Sequence, residues 1–100
     1  MYLTAYKKND LGEFEKDYRW DEAKYTNRYD FYCLLREDSI SEECRPEYAH
    51  FFDYYPPYIR PKKISAVREK LKKSTFRENH AFYELLDLMK KDKNVFVKYE

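Results

Sequence analysis

One glycine and four prolines in 100 residues leave little linker or low-complexity chain, and a single glycine excludes a glycine-rich phosphate cradle. Apolar runs extend only a few residues, so no segment suits a helix that spans a bilayer. The start, Met1-Tyr2-Leu3-Thr4-Ala5-Tyr6, lacks the basic residues and long apolar stretch of a secretory signal, which makes the cytoplasm the expected compartment. Cys33 and Cys44 are the only cysteines and have no Cys-x-x-Cys spacing. They read as free thiols in a reducing compartment, a disulfide between them being the expectation for an exported protein. His50 and His80 are the only groups that titrate near neutrality. His80 stands four residues before Glu84, a spacing that shares one helical face and reads as surface electrostatics. The two cysteines and two histidines carry zinc-binding atoms but not the paired short spacings of a structural site. No catalytic residue, metal site or cofactor is assigned from these absences.

Aromatic residues are what the chain does have. Twelve tyrosines, seven phenylalanines and one tryptophan accompany a charged fraction of 39%. The mean hydropathy of -1.04 taken alone suggests disorder. A tyrosine ring nevertheless buries a large area once its hydroxyl is satisfied, so the composition implies a folded domain with an amphipathic aromatic surface. At this length one domain, 1–100, is expected, with a core of modest size.

Periodicity gives the layout. Leu3 and Ala5 alternate against Tyr2, Thr4 and Tyr6 as a first strand, and Asn9-Asp10-Leu11-Gly12 forms a turn into a short strand from Phe14 to Tyr18. Asp21 caps a helix running to about Glu37, with one stripe through Phe31, Leu34 and Leu35. Tyr25, Tyr29, Tyr32 and Cys33 form a second stripe, which suits a helix with one face in the core and another at a partner. Residues 38–43 read as a connection. Pro46 opens a helix carrying Tyr48, Phe51, Phe52 and Tyr55, stopped by Pro56-Pro57, and Pro56 to Pro61 is expected as extended surface chain. Ser65 caps a helix with Val67 and Leu71 inward. The capping-box pair Thr75 and Glu78 opens the last helix, whose inner stripe is Phe82, Leu85, Leu86 and Met89. Val95, Val97 and Tyr99 alternate against Phe96 and Lys98 as a closing strand, for which the first strand is the natural mate. The expected class is α+β: a two- or three-stranded sheet of the N- and C-terminal strands, packed by three or four helices.

Charge is uneven. Residues 1–59 hold eight basic against thirteen acidic residues, whereas 60–77 hold eight basic and one acidic, Glu69. That block consists of Arg60, Lys62, Lys63, Arg68, Lys70, Lys72, Lys73 and Arg77. Beside it, residues 48–58 crowd six aromatic rings and His50 into one short stretch, and Tyr54 and Tyr58 are expected near the surface. A non-catalytic protein-interaction module follows, in which Tyr54, Tyr55 and Tyr58 anchor and Arg60, Lys62 and Lys63 steer an acidic protein partner or a second copy. The alternative is a small nucleic-acid-binding protein using Arg60 to Arg77 on phosphates, and a third reading is an enzyme of unidentified chemistry. Basic side chains facing one way favour phosphate; side chains interleaved with carboxylates disfavour it.

Overall fold

A computed structural model describes residues 1–21, 26–37, 39–42 and 58–100. The helix expected after Pro46, with Cys44, His50, Tyr54 and Tyr55, lies outside the described residues. The elements are β1 (Leu3–Lys8), β2 (Phe14–Lys16), α1 (Arg28–Arg36), β3 (Ser39–Glu42), β4 (Tyr58–Pro61), α2 (Ile64–Lys72), α3 (His80–Lys91) and β5 (Val95–Tyr99). The fold is α+β: among the described residues three helices pack against an antiparallel sheet that contains both terminal strands.

The strand order is β2-β1-β5-β4-β3, every neighbouring pair antiparallel. β1 and β5 pair from Leu3↔Tyr99 to Lys7↔Val95, as the alternation at the two ends of the chain predicts. At the β1–β2 turn Gly12 sits at φ 77, a conformation that carries little steric cost only without a Cβ. Asn9 braces the same turn by accepting the amides of Leu11 and Glu13, each at 2.9 Å.

The sheet is larger than periodicity implied. Residues 39–42, expected as a connection, form β3, and 58–61, expected as extended surface chain, form β4. Residues 58–61 are extended, as expected, but the sequence could not indicate that the free edge of β5 recruits them, with Ile59 opposite Val97. Tyr58, Ile59 and Pro61 are buried as a result.

Alternation then divides the strands between two faces. Leu3, Ala5, Ile59, Val95 and Val97 meet the helices, and each is at most 1% exposed. Onto them α1 lays Phe31 and Leu35, α2 lays Val67 and Leu71, and α3 lays the expected stripe Phe82, Leu85, Leu86 and Met89. Phe31 stacks on Phe82 with centroids 4.2 Å apart, while Phe76 meets Phe82 edge-on at 6.0 Å. Trp20 closes this side, its indole N–H donating to the Ala81 carbonyl at 2.9 Å. Each such side chain fully buried contributes about 1.5–3 kcal/mol.

Three helix starts differ from expectation. α1 begins at Arg28 because Asn27 adopts a left-handed φ of 69, so a helix from Asp21 does not run through it. α3 begins at His80, not at Thr75: Asn79 is its cap, its side-chain oxygen accepting from the Ala81 amide, and residues 75–78 form turns. Asn ranks at least level with Thr as a cap, so the later cap is physically competitive. α2 starts at Ile64 after Lys63, which makes Ser65 its second residue and not its cap.

Candidate interaction surface

The sheet face turned away from the helices carries its own aromatic layer. Tyr58 is central: Phe14 stacks on it at 3.9 Å, Tyr6 meets it edge-on at 4.9 Å, and the Lys98 ammonium lies 5.1 Å from its centroid. Phe14 also meets Phe96 edge-on at 5.2 Å. Tyr58 and Phe96 are only 4% and 5% exposed, so these rings pack on one another and their faces are not open to a base or a peptide. Tyr58, expected near the surface, is therefore an internal ring. The reason is strand register, which puts it on the same face as Phe14 with β1 and β5 between them.

The basic block is dispersed by the fold. Arg60 turns into the α3–β5 junction, donating from Nη2 to the Met89 carbonyl at 2.7 Å and from Nη1 to the Val95 and Asp92 carbonyls at 3.0 and 3.2 Å. It caps the end of α3, and burial lowers its pKa against the opposing pull of Asp92. Arg68 pairs with Asp87 and lies 5.4 Å from the Tyr83 centroid, Lys70 pairs with Glu37, and Lys72 pairs with Glu69 at 3.2 Å. Arg77 donates to the Ser74 carbonyl at 3.1 Å. Lys62, Lys63 and Lys73 are exposed. Carboxylates thus interleave with the cations, the arrangement that weighs against a phosphate-binding face.

A different surface brings tyrosine and arginine together. Tyr2 and Glu100 exchange backbone hydrogen bonds, extending the β1–β5 ladder to the ends of the described chain. Against this corner α1 sets Tyr29 and Tyr32, each 5.3 Å from Tyr99 and 6.4 Å from each other. Arg28 bridges to the amino end, its Nε donating to the Met1 carbonyl at 2.6 Å and its guanidinium 6.0 Å from the Tyr2 centroid. At the other end Arg36 lies 5.6 Å from the Tyr32 centroid. Tyr32 is 6% exposed and anchors the group, whereas Tyr29, Tyr2 and Met1 are 50%, 42% and 61% exposed. The signal for this site was the second stripe of α1; Tyr2 and Tyr99 come from elsewhere in the chain and carried none, nor did Arg28 at the start of α1.

The titrating groups elsewhere serve the fold. Arg19 grips Asp17 with two nitrogens and reaches Asp92 at 2.8 Å, and Lys7 approaches Asp92 at 3.3 Å. The Arg19 hydrogen bond, aided by the Asn94 amide and Lys7, pulls Asp92 down to about 2. Arg19 likewise lowers Asp17, while both carboxylates raise Arg19. His80 and Glu84 are both exposed on α3, and no ion pair joins them among the described residues. An open polar cleft of about 430 Å³ lies between Thr26–Asn27 and Thr75–Asn79; no histidine or cysteine lines it. Among the described residues no group of three or more His, Cys, Asp or Glu is placed to hold a metal ion, and no helix is long and apolar enough to cross a membrane. No protein-family model, curated protein or solved structure matches the chain.

Proposed function

We propose that this protein is a non-catalytic protein-interaction module and that its contact surface is the corner formed by Tyr2, Arg28, Tyr29, Tyr32, Arg36 and Tyr99. The observation that carries the reading is the half-exposed Tyr29, held upright by Tyr32 and Tyr99 and flanked by arginines at both ends. Tyrosine and arginine are enriched among the residues that dominate binding energy, and a tyrosine ring covers a large area with few rotamers lost. Among the described residues three tyrosine rings are more than a third exposed, Tyr2, Tyr18 and Tyr29, and two of the three lie at this corner. It is the chemistry that the sequence suggests for Tyr54, Tyr55 and Tyr58, of which Tyr58 is buried and the other two lie outside the described residues.

The test is capture from the native host with tagged wild-type chain and with a Tyr2→Ala/Tyr29→Ala variant, each with and without nuclease treatment. Wild type recovers a stoichiometric protein, either another chain or an untagged copy, and the variant loses it while its thermal melt is unchanged. Equal recovery by the variant refutes the surface. Recovery that disappears with nuclease refutes the protein-binding reading in favour of nucleic acid.

A further inference from the structure

We propose that Ser65 is a phosphorylation site, the acceptor for a protein kinase that reads basic residues ahead of its target hydroxyl. The proposal is independent of the tyrosine–arginine corner and concerns a part of the basic block that the fold leaves exposed. The pattern Lys-Lys-x-Ser/Thr occurs twice in the chain, at Lys62-Lys63-Ile64-Ser65 and at Lys72-Lys73-Ser74-Thr75. Kinases select substrates by charge pattern, and paired cations just ahead of the hydroxyl suit an acidic substrate groove. The pattern alone makes the two sites equal, and the structure separates them.

A groove that reads successive side chains takes them from extended chain, so the local backbone decides. Lys63 is already extended, at φ -128 and ψ 100, and Lys62 and Lys63 are both exposed. Ser65 follows as the second residue of α2; it is exposed, and among the described residues its hydroxyl makes no hydrogen bond. No side-chain cap holds the first turn of α2, so residues 64–66 open without breaking one, at the expense of the partly buried Ile64. At the second site Lys72 ends α2 and Lys73 is its helical C-cap, donating to the Lys70 and Leu71 carbonyls. Ser74 is tied to the Leu71 carbonyl through its amide at 3.1 Å and its hydroxyl at 2.7 Å, and Phe76 packs on the core just beyond Thr75. Extending residues 72–76 breaks these contacts together, which makes Thr75 the poorer acceptor although it too is exposed.

In the transfer the Ser65 Oγ attacks the γ-phosphorus of ATP, the bond from that phosphorus to the bridging oxygen breaks, ADP leaves, and the hydroxyl proton passes to the kinase's base. The product suits the place where it forms. α2 has no acidic residue in its first turn, so a phosphate there meets the positive end of the helix dipole, with Lys62 and Lys63 close by in the chain. One turn on, Arg68 pairs with Asp87, and Glu69, the carboxylate on this flank, is held by Lys72 at 3.2 Å. A phosphoserine carries about two negative charges, which offset the two lysines and turn this cationic segment neutral.

The experiment treats the purified full chain with ATP and the catalytic subunit of a serine/threonine kinase that requires basic substrates, and maps the product by tandem mass spectrometry. A single phosphate enters, at Ser65. Ser65→Ala abolishes incorporation, Ser65→Thr retains it, and Thr75→Ala leaves it unchanged. Lys62→Ala/Lys63→Ala lowers kcat/KM by about tenfold or more, whereas Lys72→Ala/Lys73→Ala does not. Chain recovered from its native host in the presence of phosphatase inhibitors carries the same phosphate. No phosphate on Ser65 in either the treated or the host-derived chain overturns the proposal, as does a product on Thr75 instead or a rate indifferent to Lys62 and Lys63.

Discussion

Replacing Arg60 with methionine distinguishes a guanidinium that holds the fold from one that steers a partner. The side chain spans three carbonyls, those of Met89, Asp92 and Val95, at 2.7 to 3.2 Å. Two of them belong to the last turn of α3 and the loop behind it, which α3's own hydrogen bonds do not fully satisfy. A hydrogen bond from a charged donor is worth about 1.5–3 kcal/mol when buried. Arg60 is only half-buried, so water partly replaces what is removed, and about 1 kcal/mol per carbonyl is the appropriate scale. Methionine keeps the apolar stem and loses all three bonds, giving a loss of about 3 kcal/mol. With a urea dependence of about 1.5 kcal/mol per molar, the unfolding midpoint falls by roughly 2 M. Fluorescence of Trp20, 6% exposed at the α3 side of the core, reports the transition. Arg60→Lys recovers only part of the loss, since one ammonium cannot reach three diverging acceptors. An Arg60→Met chain that unfolds at the wild-type midpoint, yet fails to capture a partner, refutes the capping role and returns Arg60 to the docking role first read from the sequence.

Two further perturbations bear on the same fold. Asp92, held at about 2, and Asp17, also lowered, both have folded pKa values below their unfolded ones of about 4, so their stabilisation is present above pH 4 and is lost as pH falls toward 2. Arg19→Gln is accordingly less stable than wild type at pH 7, and paired thermal melts show the gap closing between pH 4 and pH 2; a gap independent of pH rules out the ion-pair account. Tyr58→Ala removes the ring that joins Phe14, Tyr6 and Lys98 and costs about 3 kcal/mol in urea unfolding. Unchanged stability in that variant shows that the outer aromatic layer contributes nothing to folding.

Much of the fold was legible because it follows from neighbours in the chain. The stripe Phe82, Leu85, Leu86 and Met89 repeats with the helical period, and all four residues are fully buried. Leu3 and Ala5, like Val95 and Val97, alternate with the period of a strand, and these two segments pair. The same rule exposed the second stripe of α1, from which Tyr29 emerges as a surface ring. Local rules failed where two local signals competed. Thr75 and Asn79 both have cap chemistry, and the packing of Phe76 and Phe82 accompanies the later start.

What composition and periodicity determined by themselves was the α+β class, the inner stripes and the terminal strand pair, since propensity and amphipathic spacing act over a few residues. The tertiary structure decided everything that depends on which distant segments share a surface. It made Tyr58 an internal ring by bringing it to Phe14, turned Arg60 onto the end of α3, and paired Lys70 with Glu37 and Arg68 with Asp87 across long stretches of chain. It also gathered Tyr2, Tyr29 and Tyr99 at one corner. Such contacts are fixed by strand register and helix placement, which minimise the free energy of the whole chain at once, and no window of neighbouring residues carries that information.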